Sequence, residues 1–242
     1  MRIRDVRALT LDLLYPRRCP VCGEAAPWGL DICPECTEKL PYVREPVCRK
    51  CGKPVDDMQV YCRDCMNVRH RYVRGRGVFV YDDVMRRMLT DFKYRGRREY
   101  GHTIGRLMAQ YAVSFMEEWQ PDIIVPVPVH ASRKRSRGYN QAEILSGEIA
   151  SYFDMTHAAD TLVREGNTAA MKTLSSSERT ANIRSAVRCE KPSEDGGSVL
   201  IVDDIYTTGA TVDACAEVLI EAGYGEIFFL TAAIGAGSLD DM

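Results

Sequence analysis

Residues 199–211 read Val-Leu-Ile-Val-Asp-Asp-Ile-Tyr-Thr-Thr-Gly-Ala-Thr. Four apolar residues run into paired carboxylates, Asp203 and Asp204. A short hydroxyl- and glycine-rich turn follows: Thr207, Thr208, Gly209, Ala210 and Thr211. Val212, Cys215, Leu219 and Ala222 then recur at spacings of three and four, so the segment predicts a buried parallel strand, a ligand loop and a helix. Backbone N–H groups and hydroxyls at that helix N-terminus suit a phosphate. Two carboxylates beside such a cradle would repel a polyphosphate standing alone. They suit a ligand with neighbouring neutral hydroxyls next to a phosphate, as in ribose 5-phosphate. A P-loop needs G-x-x-x-x-G-K-[ST], and the one Gly-Lys pair, Gly52-Lys53, precedes Pro54 among cysteines, so the aspartates have no Walker-type companion.

Eight of the ten cysteines form four C-x-x-C pairs: Cys19/Cys22, Cys33/Cys36, Cys48/Cys51 and Cys62/Cys65. Each cysteine of the first half recurs 29 residues later, so the unit is duplicated, and ten residues separate the two knuckles within each unit. That spacing predicts zinc ribbons with two structural Cys₄ sites and no open coordination position. Sequential pairing of the knuckles is the simpler arrangement; an interleaved one, with the outer knuckles sharing one zinc, also fits the spacing. Cys189 and Cys215 stand alone and read as buried small hydrophobes.

The third candidate is the basic run Arg133, Lys134, Arg135, Ser136, Arg137, leading into Gly138-Tyr139-Asn140-Gln141. It lies just beyond the buried strand Ile123-Ile124-Val125. Under the resemblance given below, cations there would stabilise a departing pyrophosphate. An exposed nucleic-acid-binding or merely solvated loop fits the same residues, and these uses are compatible.

The elements that must position these groups alternate along the chain. Val78–Tyr81 predicts a strand, Val84, Met88, Leu89 and Phe92 a helix, and Tyr100 to Trp119 a second, longer helix. Strands near Thr161–Val163, Ala186–Arg188 and Val199–Val202 follow a helix with Leu145 and Ile149, and Phe228-Phe229-Leu230 is expected to close the sheet. The expected fold is α/β, a doubly wound parallel sheet with ligands at its carboxyl ends, joined to an N-terminal double zinc ribbon. The divisions are residues 1–16 as an amphipathic helix, 17–70 as the ribbons and 77–242 as the α/β domain.

The chain has 242 residues, 45% hydrophobic and 27% charged, the composition of a soluble globular protein. No apolar run reaches the ~18 residues of a membrane span, and Arg2, Arg4, Asp5, Arg7 and Asp12 break up any secretory signal, so no membrane insertion and a cytoplasmic location are expected. A reducing compartment also favours zinc over disulfides. The net charge of −2 hides an asymmetry: residues 1–76 carry +5, residues 77–140 +4 and residues 141–242 −11. A basic N-terminal face suited to a polyanion is expected, with Arg69, Arg71, Arg74 and Arg76 as its candidates.

Residues 199–211 resemble the phosphoribosyl diphosphate (PRPP) motif of type I phosphoribosyltransferases. Over nearly its whole length the chain resembles the ComF competence-protein family, a double zinc ribbon followed by such a transferase domain. The matching residues are Leu14-Tyr15-Pro16, the eight cysteines, Lys93-Tyr94-Arg95-Gly96, Pro126-Val127-Pro128, Arg133 and Arg137-Gly138-Tyr139-Asn140-Gln141. They continue through Thr168, Leu174, Arg179 and Asn182 to Asp203–Thr211. The resemblance implies that Asp203 and Asp204 accept hydrogen bonds from the ribose hydroxyls and stabilise developing charge. It implies that Thr207, Thr208, Gly209, Ala210 and Thr211 wrap the 5′-phosphate and that Mg²⁺ accompanies PRPP. It also implies a closing loop over Arg164–Asn182, where Met171 replaces the family's usual Gln. Single-stranded DNA, handled during natural transformation, and a competence helicase are the implied partners. No residue stands out as a general base and the acceptor is not legible. The alternative reading is a non-catalytic protein that senses PRPP or a nucleotide and holds nucleic acid.

Overall fold

Ile123–Pro126, Val199–Tyr206 and Ile227–Ile234 are apolar over most of their length, the pattern of strands covered on both faces. In the computed structural model, which describes residues 17–165 and 183–235, they form the middle of a sheet of five parallel strands. The strands are β1 (Arg74–Val80), β2 (Ile123–Pro126), β3 (Thr156–His157), β4 (Leu162–Arg164), β5 (Val187–Cys189), β6 (Val199–Tyr206) and β7 (Ile227–Ile234). The main sheet runs β1-β7-β6-β2-β3, and β4 pairs with β5 antiparallel in a separate ribbon. The helices are α1 (Pro34–Thr37), α2 (Arg63–Asn67), α3 (Asp83–Tyr94), α4 (Arg98–Tyr111), α5 (Val113–Trp119), α6 (Ala131–Arg137), α7 (Gln141–Phe153) and α8 (Ala210–Glu221).

Strand alternation divides the core in two. Leu200 and Val202 of β6 and Phe228 and Leu230 of β7 pack with α3, α4 and α7. Val199, Ile201, Ile227 and Phe229 face the other way, onto Val212, Cys215 and Leu219 of α8. The chain winds from β2 through α7 to β3 on one side and from β6 through α8 to β7 on the other. Strands β2 and β6 are neighbours, so their carboxyl ends form the switch point where such sheets bind ligands.

The duplicated cysteine unit straddles this sheet, one copy on each face. Cys19, Val21, Ile32, Cys36 and Leu40 join the core under α4, whereas Val47, Cys48, Cys51, Cys62 and Tyr72 join the core under α8. Between the copies the chain seals the outer edge of β1. Val43 N–H donates to Val78 O at 2.9 Å, Val80 N–H to Pro41 O at 2.8 Å and Gly75 N–H to Lys50 O at 2.9 Å. An otherwise bare row of strand amides is thereby paired. The cysteine sulfurs gather as Cys19, Cys22, Cys33 and Cys36 and as Cys48, Cys51, Cys62 and Cys65, all within 4.8 Å of one another in each group. The knuckles thus pair sequentially, and each set of four sulfurs fits a tetrahedral zinc ion.

Several expectations are corrected. β7 does not close the sheet: all eight of its residues are buried and it lies between β1 and β6, leaving β1 and β3 at the edges. The strands near Thr161–Val163 and Ala186–Arg188 exist, but they form a hairpin-like ribbon outside the parallel sheet, the pairing available to a chain that returns on itself. The helix expected from Tyr100 to Trp119 breaks at Ala112, which caps α4 and opens α5. Cys215 is fully buried, but Cys189 is half-buried, its thiol donating to Lys191 O at 3.2 Å. The amphipathic helix at residues 1–16 lies outside the described residues, as do Thr168, Met171, Leu174, Arg179 and Asn182. Among the described residues no helix is long and apolar enough to cross a membrane.

Freshly prepared protein should carry two zinc ions per chain by elemental analysis. Cys19→Ser or Cys48→Ser should each lose one ion and lower Tm, because ribbons this small lack a sufficient core of their own. Less than one zinc per chain in the parent protein would refute the assignment.

Candidate active site

The carboxyl ends of β2 and β6 open into a cleft of about 680 Å³ whose walls hold every residue from Asp203 to Val212. Its floor is the end of β6. Asp204 N–H donates to Asp203 Oδ1 at 2.8 Å, so the two carboxyls are tied at adjacent positions of one strand. Burial, and then the charge of Asp204, pushes the Asp203 carboxyl up to about 8, against the pull of Lys93 and Arg164. Lys93 reaches in from the end of α3, its Nζ 2.8 Å from Asp204 Oδ2, with both side chains largely covered.

Beyond the aspartates, Gly209 takes φ +84° and caps α8. A side chain there would meet Tyr206 Oη at 2.7 Å and His70 Cε1 at 3.1 Å. Glycine is therefore demanded by the rings beneath the loop, as well as by backbone conformation. The turn leaves Thr207 exposed and Thr208 and Thr211 half-buried along the cleft.

The basic run is a helix, α6, and not a loop. His130 caps it by accepting from Ser132 N–H at 3.2 Å, and Gly138 ends it at φ +82°. Its lack of apolar periodicity hides it in the sequence, since almost the whole helix is solvent-exposed. Helical geometry then sorts the cations. Arg133 and Arg137, four apart, line the cleft. Lys134 turns to the other side, pairing with Glu143 at 2.9 Å in a smaller groove with Arg98, His102 and His157. Arg135 lines neither. Arg137 is well supported: Gln141 Oε1 accepts from it at 2.9 Å, and its guanidinium lies 4.8 Å from the Tyr94 ring centre. Asn140 caps α7 and donates to Val127 O at 3.0 Å, fixing α7 to the strand end it follows.

Lys93, Tyr94, Asn140 and Gln141, which the resemblance marks without assigning them a role, and Arg164, from the expected closing loop, also line this cleft. Lys93 and Tyr94 come from a helix more than a hundred residues before the aspartates, so only the fold brings them together. Arg164, at the end of β4, is the one described part of the expected closing loop that reaches the cleft. Three of the four arginines expected to form a nucleic-acid face are engaged elsewhere. Arg71 pairs with Glu217 at 3.2 Å, Arg74 with Glu118, and the half-buried Arg76 lies 5.1 Å over the Phe115 ring.

Residues 98–233 match the family model described as a phosphoribosyl transferase domain, and residues 10–66 match the one described as a double zinc ribbon domain. The chain is 30% identical over 203 residues to competence protein ComFC of Bacillus subtilis (strain 168), covering 79% of each chain. This chain belongs to the ComF family. Among other relatives, the DNA utilization protein YhgH of Salmonella typhi is 29% identical, over 87% of this chain and 94% of its own. Competence protein F of Haemophilus influenzae (strain ATCC 51907 / DSM 11121 / KW20 / Rd) is 25% identical, over 81% of this chain and 87% of its own. In this ComF-family chain the transferase match spans the whole cleft floor, and the ribbon match spans all eight paired cysteines.

The raised Asp203 carboxyl makes stability pH-dependent in a defined direction. Between the ordinary carboxylate range and about pH 8 the unfolded chain gives up a proton that the folded chain keeps, so stability falls as pH rises through that window. Asp203→Asn cannot ionise and escapes this loss. At pH 8 it should melt about 3 °C or more above the parent, the size of a ~1 kcal/mol change in a chain of this length, and near pH 4 the gain should vanish. A Tm difference that does not vary with pH would contradict the buried neutral acid.

Proposed function

We propose that the cleft binds PRPP with Mg²⁺ and transfers its phosphoribosyl group, and that the protein handles single-stranded DNA during DNA uptake. The observation that carries the first part is the order of groups along the cleft: paired carboxylates, then a hydroxyl-rich turn at a helix N-terminus, opposite Lys93, Arg133, Arg137 and Arg164. Asp203 and Asp204 accept from the ribose 2′- and 3′-hydroxyls. Thr207, Thr208 and Thr211, with the N–H groups of the Gly209 turn, take the 5′-phosphate. Arg133 and Arg137 hold the pyrophosphate. Two carboxyls beside phosphate-binding groups are hard oxygen donors that fit Mg²⁺, which would neutralise pyrophosphate charge when bound.

In the reaction the anomeric C–O bond to pyrophosphate breaks, and its electron pair leaves with pyrophosphate. The arginines stabilise that charge while the aspartates face the oxocarbenium-like ribose. A nitrogen nucleophile forms the new bond to the anomeric carbon and loses its proton to solvent.

The relatives named for competence and DNA utilization support the second part, as does a basic surface beside the cleft. Arg95, which also pairs with Asp91, and Arg98 follow α3, and Arg133 and the exposed Arg135 lie on α6. The two segments meet where Arg137 donates to Tyr94 Oη at 3.1 Å. Tyr94 is 69% exposed, an aromatic face among cations, as single strands favour.

PRPP with Mg²⁺ should raise Tm, and Asp204→Ala should cut that shift by removing a ribose acceptor. Pyrophosphate release from PRPP across a panel of bases tests catalysis; binding without release would leave the sensing alternative. For DNA, log affinity should fall with log salt by ~0.7 per phosphate contact, and the Arg95→Ala/Arg98→Ala/Arg135→Ala triple should lower the slope by roughly 2. Arg71→Ala/Arg74→Ala should change it little. The opposite ranking in fluorescence anisotropy would move the DNA to the ribbons.

A further inference from the structure

The two zinc ribbons have the same sequence design but different neighbours, and only one touches the phosphate loop. The first ribbon packs on α4: Cys19, Cys36 and Leu40 join the core there, and Asp31 pairs with Arg17 and Arg106. Its extension stacks Tyr42 on Tyr111 at 5.9 Å. None of these residues lines the cleft.

The second ribbon continues from Cys65 through α2 directly into residues 70–72, which lie beneath the loop. The His70 side chain has no solvent exposure, and its Nδ1 is 2.7 Å from Asp213 Oδ2 in the first turn of α8. The Asp213 Oδ1 accepts from Arg71 N–H at 2.9 Å, so one carboxylate at the exit of the loop is gripped by two successive residues. At the entrance, Tyr72 and Tyr206 share a hydroxyl hydrogen bond of 2.7 Å. Both phenols are pushed up by burial, which keeps the pair neutral. The turn itself, at Gly209, rests on Tyr206 and His70.

The ribbon's first knuckle reaches both tyrosines. Lys50 donates from Nζ to Tyr72 O and lies 5.2 Å over its ring. Lys53, 6% exposed and 2.5 Å from Asp64, lies 5.8 Å over the Tyr206 ring. Lys50 lies between Cys48 and Cys51, and Lys53 follows Cys51 by two residues. The four sulfurs of this group gather as a zinc site would require, so the metal would fix the loops that carry both lysines.

We propose that the second ribbon is a built-in part of the phosphate site. His70 and Tyr72 are positioning residues for the Thr207–Thr211 loop, and metal loss from Cys48, Cys51, Cys62 and Cys65 releases that loop, whereas metal loss from the first ribbon does not. The ligand arm of the test rests on the PRPP reading above; the exchange arm does not.

Hydrogen exchange over residues 204–213 of the full-length protein, without ligand, reads the loop directly. Cys62→Ser and Cys33→Ser should each retain one zinc ion, but only Cys62→Ser should speed exchange in this segment, by about tenfold, the worth of one charge-assisted hydrogen bond. His70→Leu, which keeps both zinc ions, should do the same. His70→Asn, which puts an amide N–H near the position of Nδ1, should restore slow exchange; a purely space-filling role would make Leu the better substitute. Titration with PRPP and Mg²⁺ should show about tenfold weaker binding in Cys62→Ser and His70→Leu, and parent affinity in Cys33→Ser and His70→Asn.

Unchanged exchange in both Cys62→Ser and His70→Leu overturns the proposal, as does an equal response to Cys33→Ser. Should Cys62→Ser fail to fold, the His70 pair decides alone. Failure of the parent protein to bind PRPP would overturn the ligand reading while the exchange result still decides the positioning role.

Discussion

Two carboxyls at consecutive positions on one half-buried strand end are the constraint around which the rest is arranged. Asp203 and Asp204 cannot both sit charged in such a place without cations nearby, and no basic residue of β6 or α8 supplies one. The cations come from elsewhere: Lys93 from the end of α3, Arg133 and Arg137 from α6, and Arg164 from β4. The cleft takes three cations, Lys93, Arg133 and Arg137, from residues 77–140, and its two aspartates and Arg164 from residues 141–242.

The parts of the fold and site that could be read in advance share one property: their chemistry is local. The run from Val199 to Thr211 carries its strand, ligand turn and helix within one window, with Gly209 at φ +84° where the turn meets the helix. The cysteines were legible because a metal imposes strict spacing. The helix around Arg133–Arg137 was not, since it buries almost nothing and so shows no periodicity; capping by His130 and Gly138 sustains it. Lys93 opposite Asp204 and His70 beneath Gly209 are long-range meetings that no local pattern encodes. The interior place of β7 was missed for a related reason. Strand order depends on where the N-terminal segment returns, and here β1 takes the edge.

The duplicated ribbon shows how one sequence unit can acquire two structural jobs. Each copy gathers its four sulfurs in the same sequential pairing. The surroundings then differ by which face of the sheet each copy meets. One copy lies with α4 in an apolar core, and the other carries His70 and Tyr72 to the underside of a polar turn. The short stretch between them follows the outer strand and joins the two faces.

That sealed strand bears on the independence of the two modules seen in the family matches. The peptide groups of β1 are shared between β7 on one flank and residues 41–50 on the other. A polypeptide beginning at residue 77 would lack the first half of that strand and the chain that shields it. It would present an unprotected edge able to recruit another molecule's backbone, and Tyr206 would lose its hydroxyl partner. The boundary visible in the family matches is therefore not a boundary in the hydrogen bonding, because the ribbons and the α/β sheet share the peptide groups of one strand.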